Sequence, residues 1–246
     1  MPVTKLSAVG DPGLDDLRLR RVGVPKQEKS LTDAFLASLP RLARPGPGRS
    51  VYVLEEAELG AGRPDIVLLT VSPAALERHI RSGLRLASPV SAKATDPNLS
   101  DAELGVTEKH AASVRKELAA QGWFSPRAQS AGRIVSDSLA IEAKVRDWRS
   151  GVRQVSKFRR FFNRSALLMP SRPMPEESFR SLNRYQCGLL FQLESNQFDW
   201  RLPALPSDAT PSAWMNVWLL ELLVRGLQRG SAYRLTSDRK ASIASE

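Results

Sequence analysis

The sequence predicts an α/β protein, a central mixed β-sheet flanked by helices, with an inserted winged helix-turn-helix-like subdomain. Three observations predict it. Short β-rich apolar runs recur along the chain, at Ser50–Glu56, Arg63–Val71, Leu139–Val145, Ala166–Met169 and Cys187–Leu193. The stretch Leu139–Pro170 reads strand, basic amphipathic helix, strand, which is a crossover unit within one sheet. Between them, residues 73–138 change character and read as helix, turn, helix and a small β-wing. The core is therefore expected in residues 1–72 and 139–246, with 73–138 inserted.

Taking the elements in order, Met1–Gln27 is rich in Gly, Pro and charge and reads as an arm. Glu28–Leu42 is helical, because Leu31, Phe35, Leu36 and Leu39 recur at helical spacing and Pro40 weakens the last turn. Ser50–Glu56 and Arg63–Val71 make a hairpin about a turn at Gly60–Gly62, the second strand starting behind Pro64. Pro73–Leu86 reads as a helix. Leu99–Gly105 and Thr107–Gln121 read as two more, Thr107 as N-cap and Gly122 as stop. Trp123-Phe124 and Arg133–Val135 supply the wing. In Leu139–Val145, period-2 alternation sends Ala140, Glu142 and Lys144 to one face and Leu139, Ile141, Ala143 and Val145 to the other. The helix that follows has an apolar stripe (Trp148, Val152, Val155, Phe158, Phe162) and a basic one (Arg149, Arg153, Lys157, Arg160, Arg164). Arg159 falls near the apolar stripe, to snorkel out or to reach a site. Ser171–Ser181 is a connection, Cys187–Leu193 a strand and Phe198–Pro211 a proline-rich loop. Ala213–Leu227 is a helix mixing core and surface positions, and Gly230–Glu246 is a frayed tail.

Net charge is +10 over 246 residues, with a sequence pI of about 10.2, which favours a polyanionic partner, nucleic acid ahead of an anionic membrane. A single cysteine, Cys187, excludes an internal disulfide and a cysteine zinc site and suits a reducing cytoplasm. No apolar run approaches the roughly 18 residues of a membrane span. His79 and His110 lack metal-ligand spacing and read as surface residues, and Cys187 and Trp218 read as core.

The chemistry-bearing set is Asp65, Glu142 and Lys144. Phosphodiester hydrolysis on Mg²⁺ needs two carboxylates on adjacent strands and a lysine two residues past one of them on the same face. Asp65 stands at the head of one strand, and Glu142-Ala143-Lys144 supplies the rest. Arg149, Arg153, Lys157 and Arg160 would contact the phosphate backbone. Lys109 and Lys116, on the outward face of Thr107–Gln121, would do the same or meet base edges.

At these residues the chain resembles the PD-(D/E)xK nuclease superfamily, in its RecB-like and Holliday-junction-resolvase-like branches. The resemblance is carried by Gly62-Arg63-Pro64-Asp65, by Ile141-Glu142-Ala143-Lys144 and by a following helix with Gln154, over residues 28–71 and 139–194. It implies a restriction-endonuclease-like sheet and Mg²⁺ or Mn²⁺. It also implies DNA cleavage in bacterial or phage processing or defence. Glu28 matches that family's first-helix glutamate and Gln154 its helix glutamine. Asp33 is a rival to Glu28, and Glu56 is another carboxylate within reach. Nucleases of this kind often pair to cut both strands, so a homodimer is a further implication. Two other readings remain open: a non-catalytic DNA-binding regulator, and a basic structural or assembly protein.

Overall fold

The computed structural model describes residues 27–57, 62–82, 113, 116, 119–120, 126–193, 197–206 and 213–236. The elements are α1 (Glu28–Leu42), β1 (Ser50–Glu55), β2 (Ile66–Val71), α2 (Pro73–Arg81), α3 (Pro126–Gly132), β3 (Val135–Ala143) and α4 (Trp148–Phe158). They continue with β4 (Arg164–Pro170), α5 (Glu176–Arg184), β5 (Gly188–Gln192), β6 (Phe198–Leu202), α6 (Ala213–Arg229) and β7 (Ala232–Arg234). The strands form a seven-stranded mixed sheet in the order β6-β5-β4-β3-β2-β1-β7. Neighbours β1–β2, β2–β3, β1–β7 and β5–β6 run antiparallel, while β3–β4 and β4–β5 run parallel.

Parallel neighbours need a crossover, and α4 and α5 supply the two. Helices then cover both faces of the middle strands, so those strands read as unbroken apolar runs rather than alternating ones. Every residue of Ile66–Val71 is buried. One face packs α1, through Leu31, Phe35 and Leu39, on Val51, Val53, Ile66, Leu139 and Ile141. The other face meets α6 and α4. Tyr52, Val67, Leu69 and Ala140 pack with Trp218, Leu220 and Val224, and farther along Leu167, Met169 and Leu189 pack with Trp148, Val152 and Val155. Leu76, Ala131 and Val135, from the stretch expected to be inserted, lie in the same core as α6.

Several expectations need correction. Arg133 and Ile134 form a turn and Val135 opens β3, while residues 126–132 are helical, so no separate wing strand exists there. The stretch carrying Glu142 is thus a nine-residue central strand. Helix α4 ends at Phe158. Arg160 therefore sits in the turn beyond it, and Arg164 opens β4, half-buried and paired with Asp137. Glu176–Arg184 is a helix where a connection was expected, and Phe198–Leu202 is an edge strand where a loop was expected. Ala232–Arg234, expected to fray, pairs with β1. His79, expected at the surface, is buried and bonds Glu221 Oε1 through Nε2 at 3.2 Å. Cys187 and Trp218 are core, as expected. Residues 1–26, Leu99–Gly105, His110, Trp123-Phe124 and most of Thr107–Gln121 lie outside the described residues. No helix among the described residues is long and apolar enough to cross a membrane.

Candidate functional site

The antiparallel β2–β3 register pairs Ile66 with Ile141, so the chain entering β2 meets the end of β3 at Asp65 and Glu142. Alternation puts Asp65 on the face of Val67, and Glu142 on the face of Ala140, which is the α4 and α6 side. The approach is direct: Asp65 Oδ2 accepts a 2.7 Å hydrogen bond from the backbone N–H of Ala143. Gly62, at φ +147°, leads into Pro64-Asp65, and a Cβ there would lie 3.0 Å from Phe158 Cε1. The backbone conformation thus favours glycine, and any Cβ there would also crowd the Phe158 ring.

Lys144 is the hub of the cluster. Its Nζ lies 2.8 Å from Glu142 Oε1 and donates to Glu28 Oε2 at 3.2 Å. Glu28 reaches it from the first turn of α1 and is half-exposed, whereas Glu142 is only 2% exposed. The long lysine stem runs beneath α4, and Gly151 makes the room. A Cβ at Gly151 would come 2.4 Å from Leu167 Cδ1 and 3.1 Å from Lys144 Cγ.

Burial sets the electrostatics. It pushes the Glu142 carboxyl up to about 7. The Lys144 hydrogen bond opposes this, and the charges of Asp65 and Glu28 reinforce it. Asp65 is also raised, by burial against the pull of the Ala143 N–H and Lys144, with Glu28 and Glu56 adding repulsion. Burial alone would lower Lys144, but its bonds to Glu142 and Glu28 prevail and hold the ammonium above its ordinary range. Lys144 is a firmly charged amine beside two carboxyls, Asp65 and Glu142, that ionise reluctantly.

Among the described residues, five buried side-chain polar atoms have no hydrogen-bond partner, and two of them are Glu142 Oε2 and, on α4 three residues past Gly151, Gln154 Oε1. An orphan carboxylate oxygen in a dry setting is costly unless something electropositive meets it. Among the described residues no group of three or more His, Cys, Asp or Glu side chains is arranged to hold a metal ion. A metal would rest on Asp65 and Glu142. That suits Mg²⁺, which commonly takes one or two carboxylates and keeps several waters.

The structure thus brings together Asp65, Glu142, Lys144 and Glu28, four of the residues singled out in the sequence. Asp33 is exposed on α1, and Glu56, with a positive φ of 51°, is exposed and ion-paired with Arg63. Arg149 pairs with Glu177 and lies 4.6 Å from the centroid of Trp148. Arg153, Lys157 and Arg160 are exposed, with no ion pair among the described residues. Lys116 is helical and exposed, and Lys109 lies outside the described residues. Arg159 points away from the cluster. It donates to the carbonyls of Asn163, Leu205 and Pro206 and to Gln186 Oε1, tying the segment after β6 to the end of α4. No protein-family model matches this chain, and no curated protein or solved structure matches it.

Proposed function

We propose that the chain is a Mg²⁺-dependent deoxyribonuclease of the PD-(D/E)xK type, hydrolysing phosphodiester bonds in DNA. One observation carries the reading: Asp65, Glu142 and Lys144 converge at one end of the sheet, and Glu142 keeps a buried oxygen without a partner among the described residues. The order α1-β1-β2-β3-α4-β4, with α2 and α3 between β2 and β3, around a mixed sheet supports the restriction-endonuclease-like fold. Asp65 and Glu142 would hold the ion. When bound, Mg²⁺ or Mn²⁺ supplies a Lewis acid at a phosphoryl oxygen and lowers the pKa of water.

The chain's own groups do the rest. Lys144 brings a permanent positive charge beside the carboxylates, where it orients a water and offsets charge developing on the phosphate. Glu28 restrains the ammonium through its hydrogen bond. Gln154, whose buried amide oxygen has no partner among the described residues, is the helix glutamine of the proposed site. Arg153, Lys157 and Arg160 seat the backbone phosphates, joined by Arg149 once it exchanges Glu177 for DNA. Lys109 and Lys116 extend that contact if residues 73–138 work as a winged-helix-like DNA module. A cytoplasmic setting and a homodimer belong to the same proposal.

A second reading has an observation of its own. Lys144 already engages Glu142 and Glu28, so the cluster also works as a self-contained ion-pair network in a non-catalytic DNA-binding protein. Supercoiled plasmid with Mg²⁺ separates the two. The nuclease nicks it, EDTA abolishes nicking, and Asp65→Asn or Lys144→Ala lowers the rate by about 100-fold or more. Wild-type protein that binds DNA and never cuts it overturns the first reading.

A further inference from the structure

The opposite end of the same strands holds a second concentration of charge. The register joins Ser50 to Val71 and Val71 to Val135, so Arg49, Ser72 and Arg133 flank one end of β1, β2 and β3. Asp65 and Glu142 lie at the other end, about 17–20 Å away along a six-residue strand. At this far end α2, α3 and the chain before β1 border an open cleft of about 490 Å³. Its walls carry Arg49, Arg78, Arg133, His79, Ser72 and Ser130, and among the described residues no carboxylate lines it.

Among the described residues, the cations here lack counter-charges. Arg78 and Arg133 have no ion pair among the described residues, and Arg49 donates only a 3.4 Å hydrogen bond to the Ile134 carbonyl. Among the described residues, Glu221 is buried and already engaged by His79. Glu77, on the outer face of α2, is paired with Arg81. Three guanidiniums sharing one hollow repel each other unless an anion joins them. Guanidinium forks and hydroxyls are the donors that phosphate oxygens accept. The volume falls within the range for small-molecule ligands, and the position is too far from the acid cluster to be an extension of it.

We propose that this cleft is a separate binding site for a small phosphorylated ligand of nucleotide size, gripped by Arg49, Arg78 and Arg133 over a floor set by His79. The site does not depend on the nuclease reading. The test is calorimetric titration of the full chain with pyrophosphate and with ATP, in EDTA and at low salt. A ten-nucleotide single strand serves as the competing phosphate source. Saturable one-to-one binding of pyrophosphate or ATP is expected. Arg78→Ala with Arg133→Ala weakens it at least about 10-fold, and Lys144→Ala leaves it unchanged. Arg78→Lys with Arg133→Lys keeps the charge but loses the forked donors, and shows an intermediate loss if the alanine pair does not fold. The proposal is overturned if neither probe binds saturably, or if Lys144→Ala weakens binding while the arginine pair does not. It is also overturned if only the oligonucleotide binds and the arginine pair weakens it, since the cleft would then serve a nucleic-acid strand.

Discussion

Glu142 shows how a single residue couples stability to acidity. Its carboxyl is held at about 7 in the fold, above its ordinary 4.5, chiefly by burial. A folded-state value raised in this way favours the fold at low pH. That contribution is full below about 4.5 and is lost as pH rises through about 7. Replacing the acid by its neutral isostere removes the loss. Glu142→Gln, measured in EDTA, should therefore raise Tm at pH 8 and change it little at pH 5. The difference should be on the order of 1–2 kcal/mol after solvent screening, or roughly 2–6 °C for a chain of this size. A lower Tm at pH 8 would mean that the lysine contact outweighs burial. Period-2 alternation in Leu139–Val145 was enough to place Glu142 and Lys144 on one face, because that rule depends on backbone geometry alone. It could not reveal burial on both faces, which follows from α1 packing on one face and α6 on the other, both far from β3 in sequence. His79 was misread for the same reason. Its partner, Glu221, is 142 residues away.

At the scale of the element, α4 does two jobs with two stripes. Trp148, Val152, Val155 and Phe158 are buried, and Arg153 and Lys157 face solvent. Asp147 caps the helix by accepting from the Ser150 N–H at 3.0 Å. Reversing both exposed charges (Arg153→Glu with Lys157→Glu) leaves the core untouched. It should weaken DNA binding and reduce the slope of log K against log salt by about 2, read by fluorescence anisotropy across a salt series. An unchanged slope would exclude this face from the DNA contact. The buried stripe makes a sharper demand at Gly151, where a methyl would meet Leu167 at 2.4 Å. Gly151→Ala should cost about 1–3 kcal/mol in urea unfolding, with Leu167→Ala in the same chain restoring part of it. The elements missed in the sequence share a physical cause. Residues Phe198–Leu202 lie beside prolines that read as loop, and Ala232–Arg234 is too short to show a period. In α5 the buried Ser178 and Leu182 form a stripe only two residues long. The clearest elements were α1, read over the bounds it has, and β1 and β2, where a full helical stripe or an apolar run outlasts local noise.

At the scale of the whole molecule, the strands act as spacers. They separate an acidic and amine-bearing end from a guanidinium-lined one, so substitutions at the two ends should behave additively. How the sheet stops at its sides has a different consequence. Its two borders are β6 and β7. The first carries Asp199 and Arg201, 3.7 Å apart, and runs toward Pro203. The second is three residues long and ends at the exposed Arg234. Charged or abbreviated margins discourage an unrelated strand from zipping on, which would otherwise seed polymers. Converting the margin to Asp199→Val with Arg201→Val should produce concentration-dependent light scattering that the parent chain lacks. A clear solution would show that something other than those charges guards the border. Two copies of this protein that meet in solution should therefore do so helix to helix, leaving each sheet closed at its own limits.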